Sequence, residues 1–262
     1  MNLIKSSLKK IIGRFGFEVV RKGSVPADQR RIRSDFRPED LHTIKSVESH
    51  TQTSPERLLA LIRAVEYTVK HQIPGDIVEC GVWKGGSMMA IAKTLIQLGV
   101  TDRELYLYDT FDGMSPPTGN DVSLWGVNAK EEFQKFHEDN DDETDLFKMN
   151  IVPLDEVKTA VFSVGYDKKR FHFVKGKVEE TIPGIIPNSI AILRLDTDWY
   201  SSTRHEMEHL FPRLSPGGVL IIDDYGEWQG ARAAVDEYIK KNKLKILLNR
   251  IDYTGRIAVK TR

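Results

Sequence analysis

Two hydrophobic runs in this chain end in acids, and the chemistry those acids invite is cation binding. AILRLD followed by Thr and Asp ends in Asp196 and Asp198, and GVLIIDD ends in Asp223 and Asp224. If the two runs are neighbouring strands, their carboxyl ends lie about 5 Å apart, on the rim where open α/β sheets bind ligands. Like charges so close repel, and each desolvated anion is costly unless it is protonated or bridged by a cation. A divalent ion held by Asp196, Asp223 and Asp224 resolves the conflict. All-oxygen ligands suit Mg²⁺, with Ca²⁺ or Mn²⁺ as substitutes. The competing reading has the Asp pairs cap the helices that follow. Asp198 and Asp196 are the candidate proton acceptors; for Asp198 the alternative is a cap for a helix near Ser201.

A second site precedes these acids. In Glu79-Cys80-Gly81-Val82-Trp83-Lys84-Gly85-Gly86-Ser87 a strand ends in a glycine-rich turn that opens a helix. Gly81 and Gly85/Gly86 let backbone approach a ligand, and the helix N-terminus offers free N–H groups to a carboxylate. Thirty residues after Glu79, Asp109 ends the next strand, where an acid can accept both hydroxyls of a ribose. The set points to an adenosyl cofactor. A dinucleotide fits less well, because the turn lacks G-x-G-x-x-G. The bland alternative is a tight turn beside solvated strand-end acids. Trp83, Trp199, Tyr200 and Tyr225 flank these turns as candidate pocket wall, or as simple core.

A third pattern, His205-Glu206-Met207-Glu208-His209, matches the H-E-x-x-H of zinc proteases. Pro212 ends its helix almost at once, nothing follows at the extended protease spacing, and the helix is expected to pack along the sheet, so a chance match on a charged face is the preferred reading. Cys80, beside the cofactor turn without a placed base, reads as a packing residue.

These residues need a scaffold. Apolar strands DIVEC, ELYLYD, FHFVK, IAILRLD and GVLIIDD alternate with helices near 86–98, 202–213 and 229–241, which means βαβ crossovers and a parallel sheet. KILLNR and RIAVKTR, separated by the turn-like Asp252–Gly255, form an antiparallel hairpin. Ser54 and Pro55 start a helix that ends near His71. Residues 110–160 interrupt the alternation and read as a lid. The expected organisation is an arm and irregular connector over 1–50 and a core domain over 51–262.

With Lys+Arg 38 against Asp+Glu 38 the formal net charge is zero, which argues against a polynucleotide partner and for a small molecule. One Cys excludes an internal disulfide and favours a reducing, cytoplasmic setting. The basic amphipathic stretch at the N-terminus is too short and too interrupted by Lys to span a bilayer. It reads as a contact arm for a homo-oligomer or a flap over the site, with a membrane-surface contact as a third option.

The chain resembles the macrocin O-methyltransferases, which methylate sugar hydroxyls on macrolide and aminocoumarin antibiotics. The resemblance rests on GDIVECGVWKGGS, LYLYDTFDGM, FVKGKVEETIP, LRLDTDWYSST and LSPGGVLIIDDYGEWQGARAAVDEY, in order from about residue 50 to 240. It implies an α/β fold, a seven-stranded, mostly parallel Rossmann-like sheet with an antiparallel C-terminal hairpin. It also implies S-adenosylmethionine at Glu79, Gly81, Ser87 and Asp109, with Gly176 and Val178 near the adenine, and Mg²⁺ at Asp196, Asp223 and Asp224. The expected activity is metal-dependent O-methylation of a sugar in a glycoside or glycan. The alternatives are a catechol-type O-methyltransferase of a small phenol and a non-catalytic cofactor-binding homologue.

Overall fold

The computed structural model describes residues 35–138 and 146–261. The basic N-terminal stretch therefore lies outside the described residues. One compact unit runs from Glu39 to the C-terminus, and the other, Met1–Pro38, lies almost wholly outside them. Among the described residues no helix is long and apolar enough to cross a membrane.

The sheet has seven strands: β1 (Asp76–Cys80), β2 (Leu105–Asp109), β3 (Phe171–Lys175), β4 (Ile190–Leu195), β5 (Leu214–Ile222), β6 (Asn249–Arg250) and β7 (Arg256–Val259), in the spatial order β3-β2-β1-β4-β5-β7-β6. β1 to β5 are parallel, and β7 runs antiparallel to both β5 and β6. Every residue of β4 is buried, as expected for a central strand with both faces covered. The expected strands hold, except that β5 begins four residues before GVLIIDD and that of KILLNR only Asn249 and Arg250 are strand.

Sequence and space part company between β1 and β4. The chain leaves β1 for β2 and β3 on one side, then returns to β4 on the other, so the carboxyl ends of β1 and β4 flank a topological switch point. Gly81 is required there. It has φ +81°, and a Cβ on it would come within 1.8 Å of the Asp196 carbonyl oxygen.

Helices cover the sheet: α1 (Pro38–Val47), α2 (Pro55–Lys70), α3 (Gly86–Gln97), α4 (Ala129–Glu138), α5 (Leu146–Met149), α6 (Leu154–Phe162), α7 (Val178–Thr181), α8 (Tyr200–His209) and α9 (Gln229–Lys241). Ser54 caps α2 by accepting the Arg57 N–H at 3.1 Å, with Pro55 at the first helical position. The connector expected to be irregular up to residue 50 is helical over α1, which buries Asp40, Thr43, Ile44 and Val47. The sequence shows too few apolar positions there to reveal a period, because two of the buried residues are polar.

The insertion after β2 is fastened at its root. Asp121 is fully buried; it accepts the Thr118 N–H at 2.6 Å and hydroxyl at 2.7 Å, and the Tyr200 N–H at 2.8 Å, so it caps α8 from outside the helix. Residues 122–124 are held against 227–229 by backbone hydrogen bonds. The last part of the insertion, α6, buries Val157 and Val161 and packs beside α3 at Gly85, so it serves as a crossover helix. Replacing Asp121 by Ala is expected to lower unfolding stability by about 2–3 kcal/mol, since it orphans three donors once paired with a carboxylate. Urea denaturation measures the loss, and limited proteolysis should shift to residues 115–128.

Candidate functional site

A cavity of about 460 Å³ opens along the carboxyl ends of the parallel strands, within the range of small-molecule sites. Gly81, Trp83, Ser87, Asp109, Gly176, Val178, Asp196, Asp198, Asp223 and Asp224 all line it. Glu79 does not. It is 1% exposed behind this wall, where Oε1 accepts from Arg194 Nη1 at 2.6 Å and Oε2 has no hydrogen-bond partner.

The glycine-rich turn is shaped by positive φ at Gly81, Trp83 and Gly85. Gly85 stands at the N-cap of α3 without a side-chain cap, so the first N–H groups of that helix carry no side-chain acceptor. Asp109 holds the turn in place: its Oδ2 accepts the N–H of Val82 at 2.6 Å and of Trp83 at 3.2 Å, and its Oδ1 accepts the Phe111 N–H at 2.7 Å. Sequence reasoning assigned Asp109 to a ribose and missed this bracing.

Asp196, Asp223 and Asp224 converge as expected, each presenting an oxygen within 4.8 Å of the others. What the sequence reading missed is the cation already among them. Arg194, 2% exposed on β4, donates to Glu79, to Asp196 Oδ2 at 2.7 Å, to Asp223 Oδ1 at 2.6 Å and to Thr53 Oγ1 at 2.9 Å. Arg57 from α2 pairs with Asp223 Oδ2, and through Nε with Asp252 at 3.0 Å. The signal was in the sequence: an Arg within an otherwise apolar buried strand needs a partner.

Two guanidinium groups do not neutralise this rim. Burial pushes the Asp196 carboxyl up to about 7 against the pull of Arg194, with Asp223 adding to the rise. Burial, then Asp196, lifts Asp198 to about 8, and burial, then Asp198, lifts Asp224 well above the carboxylate range. Glu79 reaches about 8 through burial. Hard oxygen donors whose ionised form is left under-compensated fit a divalent cation, which would restore that form.

Asp198 has φ +63°, rare for a residue with a Cβ. Its N–H donates to Asp224 Oδ2 at 3.0 Å, and its Oδ1 accepts from Trp228 Nε1 at 2.8 Å. It does not cap α8, since that place is taken by Asp121. Trp199 and Trp228 meet edge to face at 5.0 Å, and the Trp199 Nε1 donates to the Ser115 carbonyl at 2.8 Å, so both indoles are framework.

The protease-like motif is absorbed by packing. His205 Nε2 lies 2.8 Å from the Ile182 carbonyl, and Glu206 is fully buried, with Oε1 accepting the Thr197 hydroxyl at 2.9 Å. Cys80 is buried, and burial raises its thiol well above the usual range, which fits a packing residue rather than a nucleophile.

The family model of the macrocin-O-methyltransferases (TylF) matches residues 5–259. The chain belongs to that family. Among curated relatives it is 35% identical over 207 residues, 79% of this chain and 74% of the relative, to the 8-demethyl-8-(2,3-dimethoxy-alpha-L-rhamnosyl)-tetracenomycin-C 4'-O-methyltransferase of Streptomyces olivaceus. It is 31% identical over 207 residues, 79% of this chain and 77% of the relative, to the mycinamicin III 3''-O-methyltransferase of Micromonospora griseorubida. The solved O-methyltransferase NovP superposes with a TM-score of 0.71 at 28% identity, covering 81% of this chain and 83% of NovP. The macrocin-type O-methyltransferase fold thus carries, in this member, an acidic rim built on Arg194.

Two outcomes follow from that rim. Arg194→Met leaves Glu79 buried without its guanidinium and removes one of the two that Asp223 holds, and should cost about 3–5 kcal/mol of unfolding stability by chemical denaturation. Burial holds Glu206 at about 8 in the folded chain, against about 4.3 when unfolded. A raised carboxyl contributes stability that is full below the unfolded value and is lost as pH rises through the folded one. Glu206→Gln removes that dependence. Relative to wild type its Tm should rise by about 7 °C between pH 5 and pH 8.5, read by calorimetry.

Proposed function

We propose that this O-methyltransferase moves the methyl group of S-adenosylmethionine onto a sugar hydroxyl of a glycosylated natural product or glycan, with a divalent cation at Asp196, Asp223 and Asp224. The observation that carries the reading is the meeting, in one cavity, of an uncapped helix N-terminus behind a glycine turn with a rim of under-neutralised acids. The sugar assignment is supported by the relative whose name gives 4'-O-methylation of a rhamnosyl-tetracenomycin.

The residues around the turn suit the donor. The α3 N-terminus, with Gly81 and Ser87, would take its carboxylate, while Glu79 stays behind the cavity wall and holds Arg194. Trp83 and Asp109 would flank the ribose, and Gly176 and Val178 the adenine. S-Adenosylmethionine supplies an electrophilic methyl, so the chain must bring an oxygen in line and remove its proton. Mg²⁺, or Ca²⁺ or Mn²⁺, held by the three aspartates would lower the pKa of a bound hydroxyl.

Asp198 is the base this geometry favours. Trp228 and the Asp224 carboxylate fix its orientation from side chain and backbone, and it lines the cavity beside the acids. Asp196, tied to Arg194, is the second candidate. The C–O bond forms as the C–S bond breaks, and the hydroxyl proton passes to the carboxylate.

The test is methyl transfer to a panel of deoxysugar glycosides with Mg²⁺ and with EDTA. EDTA and Asp224→Asn should each abolish turnover, while Asp198→Asn should lower kcat by about 10²- to 10⁴-fold with S-adenosylmethionine affinity unchanged by calorimetry. EDTA-resistant turnover overturns the cation site. An unchanged kcat in Asp198→Asn removes it as base.

A further inference from the structure

The cavity follows the order of the strand ends. Gly176 and Val178 come after β3, Asp109 after β2, the glycine turn after β1, Asp196 and Asp198 after β4, Asp223 and Asp224 after β5, and Tyr253 in the β6–β7 turn. At about 4.8 Å per strand, β7 stands roughly 19 Å from β2. A donor bound over β1 to β3 therefore leaves the β7 side to whatever carries the reacting hydroxyl.

Two large rings stand on that side. Trp125 is 78% exposed and Tyr253 54% exposed, and both line the cavity. Each sits in a turn docked on the segment just after Asp223 and Asp224. The Leu124 N–H donates to the Glu227 carbonyl at 2.6 Å, and the Gly226 N–H donates to the Thr254 carbonyl at 2.8 Å. The second contact requires glycine, because a Cβ at Gly226 would come within 2.0 Å of the Tyr253 carbonyl oxygen. Trp199 and Trp228 are buried framework, whereas Trp125 and Tyr253 present apolar surface at the mouth of a polar site. An apolar group of the acceptor would recover that surface, and rings favour rings.

We propose that Trp125 and Tyr253 form the acceptor-side walls and hold an apolar ring system attached to the sugar that is methylated, so that they set specificity for the group beyond the sugar. This rests on the methyl-transfer reading above. The full-length chain, saturated with S-adenosylmethionine and Mg²⁺, is assayed on paired phenyl and methyl glycosides of L-rhamnose and other 6-deoxyhexoses. The wild type should favour the phenyl glycoside by about tenfold in kcat/KM, equivalent to about 1.4 kcal/mol. Trp125→Ala and Tyr253→Ala should each cut that preference to about threefold or less through KM of the phenyl glycoside. Their kcat, their KM for the methyl glycoside, their Tm and their affinity for S-adenosylmethionine should stay at wild-type values. A preference absent in the wild type or kept in both variants overturns the proposal, as does an equal rise in KM for both glycosides. So does a change in oligomeric mass with Trp125→Ala, which would mean that another copy covers the ring. Turnover of no glycoside by the wild type overturns the sugar reading itself, and this inference falls with it.

Discussion

The buried guanidinium of Arg194 is the interaction on which the rest of the site depends. It sits at 2% exposure in the central strand, and its two terminal nitrogens reach acids on three adjacent strands: Glu79 on β1, Asp196 beyond β4 and Asp223 beyond β5. A planar fork with two spaced terminal nitrogens in fixed directions can do this; a lysine, whose donors all sit on one nitrogen at the end of a flexible stem, does not span three strands in this way. Without it the carboxyl ends of β1, β4 and β5 would carry mutual repulsion at the place where the topology forces them together. The strand order creates the cleft, and Arg194 makes an acidic cleft tenable.

Around that centre the loops are braced rather than left loose. Asp109 holds the cofactor turn by its backbone, Asp121 holds the root of the insertion and caps α8, and Asp252 binds Arg57 and the Gly255 N–H at 2.7 Å. Each of these acids satisfies backbone donors at a strand end or turn, where no ladder partner exists. Arg57 links the last of these braces to the rim, since it joins Asp252 to Asp223. The β6–β7 turn that presents Tyr253 is thereby coupled, through two ion pairs, to an acid of the candidate cation site.

What could be read from the sequence was whatever the local pattern encodes. Apolar runs of strand length alternating with helices gave the strands, the hairpin spacing gave the antiparallel end, and glycines between strand and helix marked the turn. Asp196, Asp223 and Asp224 were legible as a group because each ends such a run. The roles that escaped depend on partners far apart in the chain. Arg57 meets a residue 166 positions away, and Asp121 meets Tyr200 across 79. Arg194 was visible as an anomaly in IAILRL and was passed over as part of a strand. Helix α1 hid because Asp40 and Thr43 fill buried places that a hydrophobic pattern assigns to apolar residues.

The two arginines also change the argument that first pointed to a cation. From sequence, three clustered aspartates seemed to need a metal simply to coexist; in the structure Asp223 has both oxygens paired with guanidinium groups, so part of that need is met by protein. The remaining imbalance lies on Asp224 and Asp198, away from Arg57. Both have raised carboxyls, and the protein meets them with neutral donors, the Asp198 N–H and the Trp228 indole. A cation entering this rim would thus find one aspartate already oriented by arginine and another still short of charge. Asp198 and Asp224 are the acids that the two arginines leave least compensated, so a cation bound beside them would favour their ionised form, the form that can take a proton from a hydroxyl.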